Sequence, residues 1–441
     1  MMPMWPGVLI AIVLGLVISQ YLKILRMAGR FPPGPTPFPV IGNLCQTGFD
    51  FSYETFITLA KRHGNVFTLW LGQEPIIILN GFEAVKEGLT AHPEDMSGRP
   101  TGPFFDKIGN RKGIIFASGD VWKQHRRIGA MGLKFLSRRT SGLEHQIQEE
   151  TLHLIEVFDS TKGEPIEPSF HIILSVSNVI CALLFGYKFS IDDETFHQLI
   201  ESIKFILQVG TSPWGNLYNV FPWIMGHLPG PHQKAFGFAE SLRSFALQEI
   251  GSHKKHESVN EPQDLIDFYL AQTAKSKDDP TSCLDENNLA NSIFDFFIAG
   301  TETIATTLHW ALVYMVAYPD IQAKVQKELD DVLGSSSRLI SCSDRRKLPY
   351  VNAVIHEIQR YANIILIGIP RKAVKDTTIF NFPIRKTLPT ARSSILTNLP
   401  SFRGRKNEDP DCWGQEADCK LLREGCEALL KWHISQNAIT I

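Results

Sequence analysis

At 441 residues, 44% hydrophobic and 20% charged, the chain is long enough to bury a large core, which excludes a disordered protein. A formal net charge of −2 argues against nucleic acid as the main partner, although local basic patches remain possible. Seven dispersed cysteines, an odd number, suit a reducing compartment better than a secreted disulfide framework.

The chain opens on an uncharged run from Met1 to Leu22, followed by Lys23, Arg26 and Arg30. Its length is near the short end of the roughly 17–25 residues that cross a bilayer, so residues 1–26 read as a membrane anchor. The basic cluster should stay cytoplasmic. A cleaved signal peptide is the rival, but no basic region precedes the run and no clear small-x-small cleavage site follows it. Residues 27–44 contain "FPPGPTPFPVIGNL", where clustered prolines exclude helix and impose a stiff, extended path. An ordinary Pro-rich linker fits the same composition.

Next, "NVFTLWLG" and "PIIILNG" predict a hairpin, being β-branched and aromatic runs bounded by Gly. After about Gly81 the pattern is mainly helical. In "SGDVWKQHRRIGAMGLKF", Trp122 and Arg126 stand four apart on one helical face, offering an indole donor and a guanidinium to an anion. That spacing alone occurs by accident in many proteins. "FPWIMGHLPGPHQ", Phe221 to Gln233, predicts a loop between two helical stretches.

The run "NNLANSIFDFFIAGTETIATTLHWALVYMVAYP" is apolar on nearly every face and predicts a buried helix. In its middle, "AGTET" is a poor helix interior, because Gly costs about 1 kcal/mol relative to Ala and buried Thr and Glu need partners. Gly300 beside Glu302 and Thr303 can open the hydrogen-bond ladder for a ligand or water; alternatively Gly300 merely allows close helix packing. In "LPYVNAVIHEIQRYANI", Glu357 and Arg360 are three apart and can pair.

Taken in order, the anchor, the Pro-Pro-Gly-Pro hinge, "WKQHRR", "AGTET", "HEIQR" and "IPRKAVKDTTIFNFPI" resemble a membrane-bound cytochrome P-450 of family 2. "LYNVFPWIM", "LPGPHQ", "FIAGTET" and "YVNAVIHEIQR" look most like subfamily J, and the resemblance runs from about Met1 to Ile384. It implies a mainly α fold with small β-sheets, forming one large domain over residues 45–384 behind the anchor. It also implies a haem-thiolate monooxygenase of the endoplasmic reticulum membrane, with its body in the cytoplasm. The cofactor would be haem b (heme b), and NADPH-cytochrome reductase, a flavoprotein, would supply electrons. Expected substrates are apolar: fatty acids such as arachidonic acid, oxidised or epoxidised, or xenobiotics.

Carried onto this chain, the resemblance makes Trp122, Arg126 and Arg371 contacts of the haem propionates, and Glu302 and Thr303 the acid–alcohol pair that delivers protons. Phe297, Ile298 and Ala299 would face the substrate. Glu357 and Arg360 would be a structural pair joined by an arginine from just upstream of the haem loop.

The resemblance also demands a cysteine thiolate on the iron, in a loop F-x-x-G-x-R-x-C-x-G. No such loop occurs in the 441 residues, and no metal ligand is assigned. Cys412 in "DPDCWG" is only a faint echo, since the preceding Phe and Gly are out of register. Two readings of residues 385–441 stay open. In one, codons for Lys386 to Arg405 read one base later permit Phe-Leu-Pro-Phe-Gly-Ala-Gly from Leu399, implying a splice variant or gene model that lacks the segment before the loop. In the other, "ILTNL", Ile395 to Leu399, is an in-frame strand and the divergence comes later. Cys412, Cys419 and Cys426 recur every seven residues, unlike the C-x2-4-C pairs of zinc sites. "CKLLREGCEALLKWHI" has accidental amphipathic character. Three functional readings follow: the family's monooxygenase, a catalytically impaired isoform with or without a partner-binding role, and haem binding through a substitute ligand such as His433 or a tail cysteine.

Overall fold

The computed structural model describes residues 5–49, 52–100, 102–138, 142–255, 261–334, 339–365, 367–380, 382–384, 386 and 394–398. The first half contains α1 (Trp5–Ala28), α2 (Tyr53–His63), β1 (Val66–Leu71), β2 (Glu74–Asn80), α3 (Phe82–Thr90), α4 (Pro103–Gly109), α5 (Gly119–Leu136), α6 (Leu143–Ser160), α7 (Ser169–Phe185), α8 (Glu194–Thr211) and α9 (Pro213–Val220). The second contains α10 (Pro222–Met225), α11 (Pro231–Lys255), α12 (Leu265–Lys275), α13 (Glu286–Ala317), α14 (Pro319–Leu333), α15 (Pro349–Ala362), β3 (Arg371–Lys372), β4 (Thr377–Ile379), β5 (Phe382–Ile384) and β6 (Ser394–Asn398). The fold is mainly helical with two small sheets. The expected loop at Phe221–Gln233 holds one extra turn, α10, started by Pro222 at its first helical position. Longer helices start on side-chain caps: Asp193, Asp264 and Asp285 each accept a backbone N–H from the first turn that follows.

The buried helix is α13, and its most extensive neighbour is α7. It runs unbroken through the AGTET stretch, so Gly300 does not open the ladder. A Cβ at Gly300 would lie 2.7 Å from Cδ1 of Ile180 on α7. Close approach of the two helices is therefore the reason for the glycine. One residue on, Thr301 is fully buried, with its hydroxyl 3.5 Å from that of Ser177 on α7.

The hairpin forms as the β-branched and aromatic runs bounded by Gly predict, β1 pairing antiparallel with β2. Its sheet has the order β1-β2-β6-β3, and β6 is an interior strand, parallel to β2 and antiparallel to β3. Ile395 of β6 is 1% exposed and shares a cluster with Ile77, Leu79, Ile379 and Ile384. The sheet thus continues past Ile384, and a strand over these residues is the geometry of the in-frame reading. Cys412, Cys419, Cys426, His433 and the amphipathic stretch around them lie outside the described residues.

One buried carboxylate ties the central helix to the sheet. Oδ2 of Asp295 on α13 accepts N–H bonds from Ile114 at 2.6 Å and Ile115 at 3.0 Å. The carbonyl of Ile115 accepts from Nε of Arg99 at 2.7 Å, and the Arg99 backbone N–H donates to the hydroxyl of Ser118, which precedes α5, at 2.8 Å. Nη1 of Arg99 reaches the Pro370 carbonyl at 3.3 Å. Gly98, next to it, exchanges both backbone bonds with Lys372 of β3. Gly113 sits at φ +80°, and a Cβ there would come within 2.3 Å of Asp295. Burial raises the Asp295 pKa to about 7, against the two N–H donors and Arg99, which lower it.

Two outcomes follow. Ile395→Ala should lower stability by about 2–5 kcal/mol, the usual cost of truncating a fully buried Ile, read as a shift in the chemical-denaturation midpoint; a surface-like loss would remove β6 from the sheet. Between pH of about 4 and about 7, folded Asp295 keeps a proton that the unfolded chain releases, so its contribution to stability falls as pH rises, by up to about 1.4 kcal/mol per pH unit. Wild type should therefore gain on Asp295→Asn as pH falls from 7 to 5; a pH-independent difference between the two would contradict the raised pKa.

Candidate functional site

A cationic edge runs from α5 to β3. On α5, the Arg126 guanidinium lies 5.8 Å from the centroid of the Trp122 ring, a cation–π contact that fixes both on one face. They line a shallow trough of about 400 Å³ with Lys123, Arg127, Ala130, Met131 and Lys134. Four cations above an indole and a Met side chain suit an anion attached to an apolar body. Arg371 of β3 is half-buried, and burial pulls its pKa down. Arg99 is its neighbour in charge: burial first, then Arg371, bring the Arg99 pKa to about 10.

Two partly desolvated guanidiniums that repel each other leave a site better suited to a carboxylate than to water alone. Arg99 carries no local sequence signal beyond standing between Gly98 and Pro100, which is why sequence reasoning missed it. Asp295 had a signal, a lone acid in the apolar run "SIFDFFIAG".

Along α13, Thr303 donates its hydroxyl to the Ala299 carbonyl at 2.7 Å, and the i,i+4 spacing puts these two residues on one face. Glu302 lies a third of a turn away, half-buried. One of its carboxylate oxygens is buried without a hydrogen-bond partner. Burial raises its pKa, partly offset by Lys204 on α8. Burial thus favours the protonated form of a carboxyl that lies one residue from a hydroxyl, two groups of the kind that exchange protons. The three residues expected to face substrate divide. Ile298 and Ala299 are half-buried, whereas Phe297, 4% exposed, is four residues before Thr301 and so shares its α7-facing side in the main core.

Glu357 and Arg360 do pair, through two short bonds at 2.7 and 2.6 Å, but on the surface: their side chains are 61% and 47% exposed. The pair lowers the Glu357 pKa and raises that of Arg360. Among the described cysteines, Cys45 and Cys342 are exposed and Cys283 is half-exposed in the segment before α13. Cys181 is sealed in the core, where burial and then Glu150 and Glu249 push its thiol pKa well up, the opposite of a thiolate. The lining of the α5 trough therefore offers cations for a carboxylate and holds no cysteine or histidine among its described residues.

The family model for Cytochrome P450 matches residues 32–388. Cytochrome P450 2J2 of Homo sapiens is 39% identical over 398 residues, covering 90% of this chain and 77% of the relative. Cytochrome P450 2C39 of Mus musculus is 38% identical over 384 residues, covering 87% and 78%. Cytochrome P450 2J5 of Mus musculus is 37% identical over 404 residues, covering 92% and 78%. With the mainly helical fold and its small sheets, these likenesses show that the chain belongs to the cytochrome P450 monooxygenase family, among its family 2 members.

Proposed function

We propose that this chain is a membrane-anchored, catalytically impaired member of the family. The parent reaction would be oxidation or epoxidation of an apolar substrate, a fatty acid such as arachidonic acid or a xenobiotic, with O2 and with electrons from NADPH-cytochrome reductase at the endoplasmic reticulum. The anchor-like α1 supports the location, and the substrate class is what the subfamily resemblance of the sequence implies. The Trp122–Arg126 face, Arg99 and Arg371 would hold the haem carboxylates, and bound haem would supply oxygen activation. Glu302 and Thr303 would hold a proton at the carboxyl and hydroxyl oxygens beside Ala299.

Impairment rests mainly on the absence of the F-x-x-G-x-R-x-C-x-G pattern from the sequence. Without the thiolate, no ligand of the required electron-donating type is assigned to the iron. The exposed Glu357–Arg360 pair agrees with this: such a pair would brace the haem loop only if a third group covered it.

The carbon monoxide difference spectrum of the reduced, membrane-extracted chain should lack a thiolate-type Soret band. A thiolate-type band would overturn impairment, and an imidazole-type band would instead assign a substitute ligand. Glu357→Ala should leave the denaturation midpoint unchanged, because an exposed ion pair contributes little. A marked loss would reveal a buried partner and contradict the uncovered pair.

A further inference from the structure

A second cluster of titratable groups lies where the C-terminal end of α11 meets the first turn of α12. His253 of α11, Asp264, which caps α12, and Asp267 in that turn each bring one ligand atom within 4.8 Å of the others. Among the described residues this is the one such convergence of His, Cys, Asp or Glu. Both aspartates are buried and His253 is partly buried.

The imidazole is aimed. Its Nδ1 donates to the Glu249 carbonyl at 2.7 Å, which directs Nε2 at Oδ2 of Asp264, 2.8 Å away. Histidines that ligate a metal are held in this way, with the other ring N–H on a backbone carbonyl or carboxylate. The carboxylates are fixed too: Oδ1 of Asp264 accepts the Asp267 N–H at 2.9 Å, and Oδ2 of Asp267 accepts the Gln263 N–H at 3.1 Å. Gly186, which ends α7 at φ +75°, makes room, since a Cβ there would lie 3.1 Å from Oδ2 of Asp264.

Charge points to a cation. Glu249 stands four residues before His253, so three carboxyl groups gather at one imidazole, and among the described residues no lysine or arginine pairs with any of the three. Burial, and then Asp264, raise the Glu249 pKa, offset in part by the Tyr187 hydroxyl and His253. Both nitrogens of His253 face acceptors, so without an ion the ring carries two protons; the bond to Asp264 is the main reason its pKa stands at about 9. A pocket of this kind is short of positive charge, and buried charge is costly unless paired.

We propose that His253, Asp264 and Asp267 form a binding site for a divalent transition-metal ion of the zinc type. One imidazole nitrogen and two carboxylate oxygens suit such an ion, with water in the fourth position. The ion replaces the Nε2 proton, which leaves to solvent. It staples the end of α11, a helix packed on α8 and α13, to α12.

The test uses the full chain, stripped with chelator, in detergent micelles. It needs no haem, so it succeeds or fails independently of impairment. Co2+ alone should bind at micromolar concentration with visible d–d absorption that Zn2+ displaces. His253→Gln, which keeps an amide to donate to Asp264, should abolish the band, and Asp267→Asn should weaken binding by about tenfold or more. Sulfur-to-metal charge transfer in place of that band, a band that survives both substitutions, or saturation only at millimolar metal would overturn the site. A readout on wild type guards against a variant that fails to fold: Zn2+ should slow amide hydrogen exchange in residues 249–255 and 264–268, and unchanged exchange in both segments would remove the ion.

Discussion

The Asp295 carboxylate sits where three parts of the chain must meet: the middle helix, the turn before α5, and the strand carrying Arg371. It accepts two consecutive backbone N–H groups that are otherwise hard to satisfy in a buried turn. The turn's own carbonyl then holds Arg99, and Arg99 holds Pro370. Each link removes a desolvated polar group from the list of costs, and together they fix the distance between α13 and the cationic edge. Without the clamp, Glu302 and Thr303 on α13 and the guanidiniums of Arg99 and Arg371 would have no common frame.

Against that frame, α13 is specialised face by face. The side toward α7 is close-packed: Gly300 admits Ile180, and Thr301 meets Ser177. The side with Ala299 and Thr303 is less buried, and Glu302, a third of a turn away, keeps an unsatisfied carboxylate oxygen. Close packing on one side gives a rigid mount for a polar group left poised on another.

Much of the architecture was legible in one dimension because it rests on local periodicity. The apolar N-terminal helix, the hairpin, the buried α13 and the pairing of Glu357 with Arg360 all depend on residues a few positions apart. Gly300 illustrates the limit. Its place in a helix was readable, but whether it opened the ladder or admitted a neighbour depended on Ile180, over a hundred positions away. Arg99 lay beyond reach for the same reason, since its partners are contributed by residues near 115, 295 and 370. Phe297 looked like its neighbours in the string and differs from them only by rotation about the helix axis.

By itself, the sequence determined the family motifs, the apolar N-terminal run and the absence of the thiolate pattern, because these are properties of residue type and spacing. Only the tertiary structure decided that residues 394–398 join the sheet between β2 and β3, that Asp295 and Arg99 tie α13 to the turn before α5 and to Pro370, that the Glu357–Arg360 pair stands in solvent, and that Gln73 of the hairpin bonds Gln20 of α1. All four are contacts between segments distant in the chain, and they depend on which surfaces folding brings together and which it leaves uncovered.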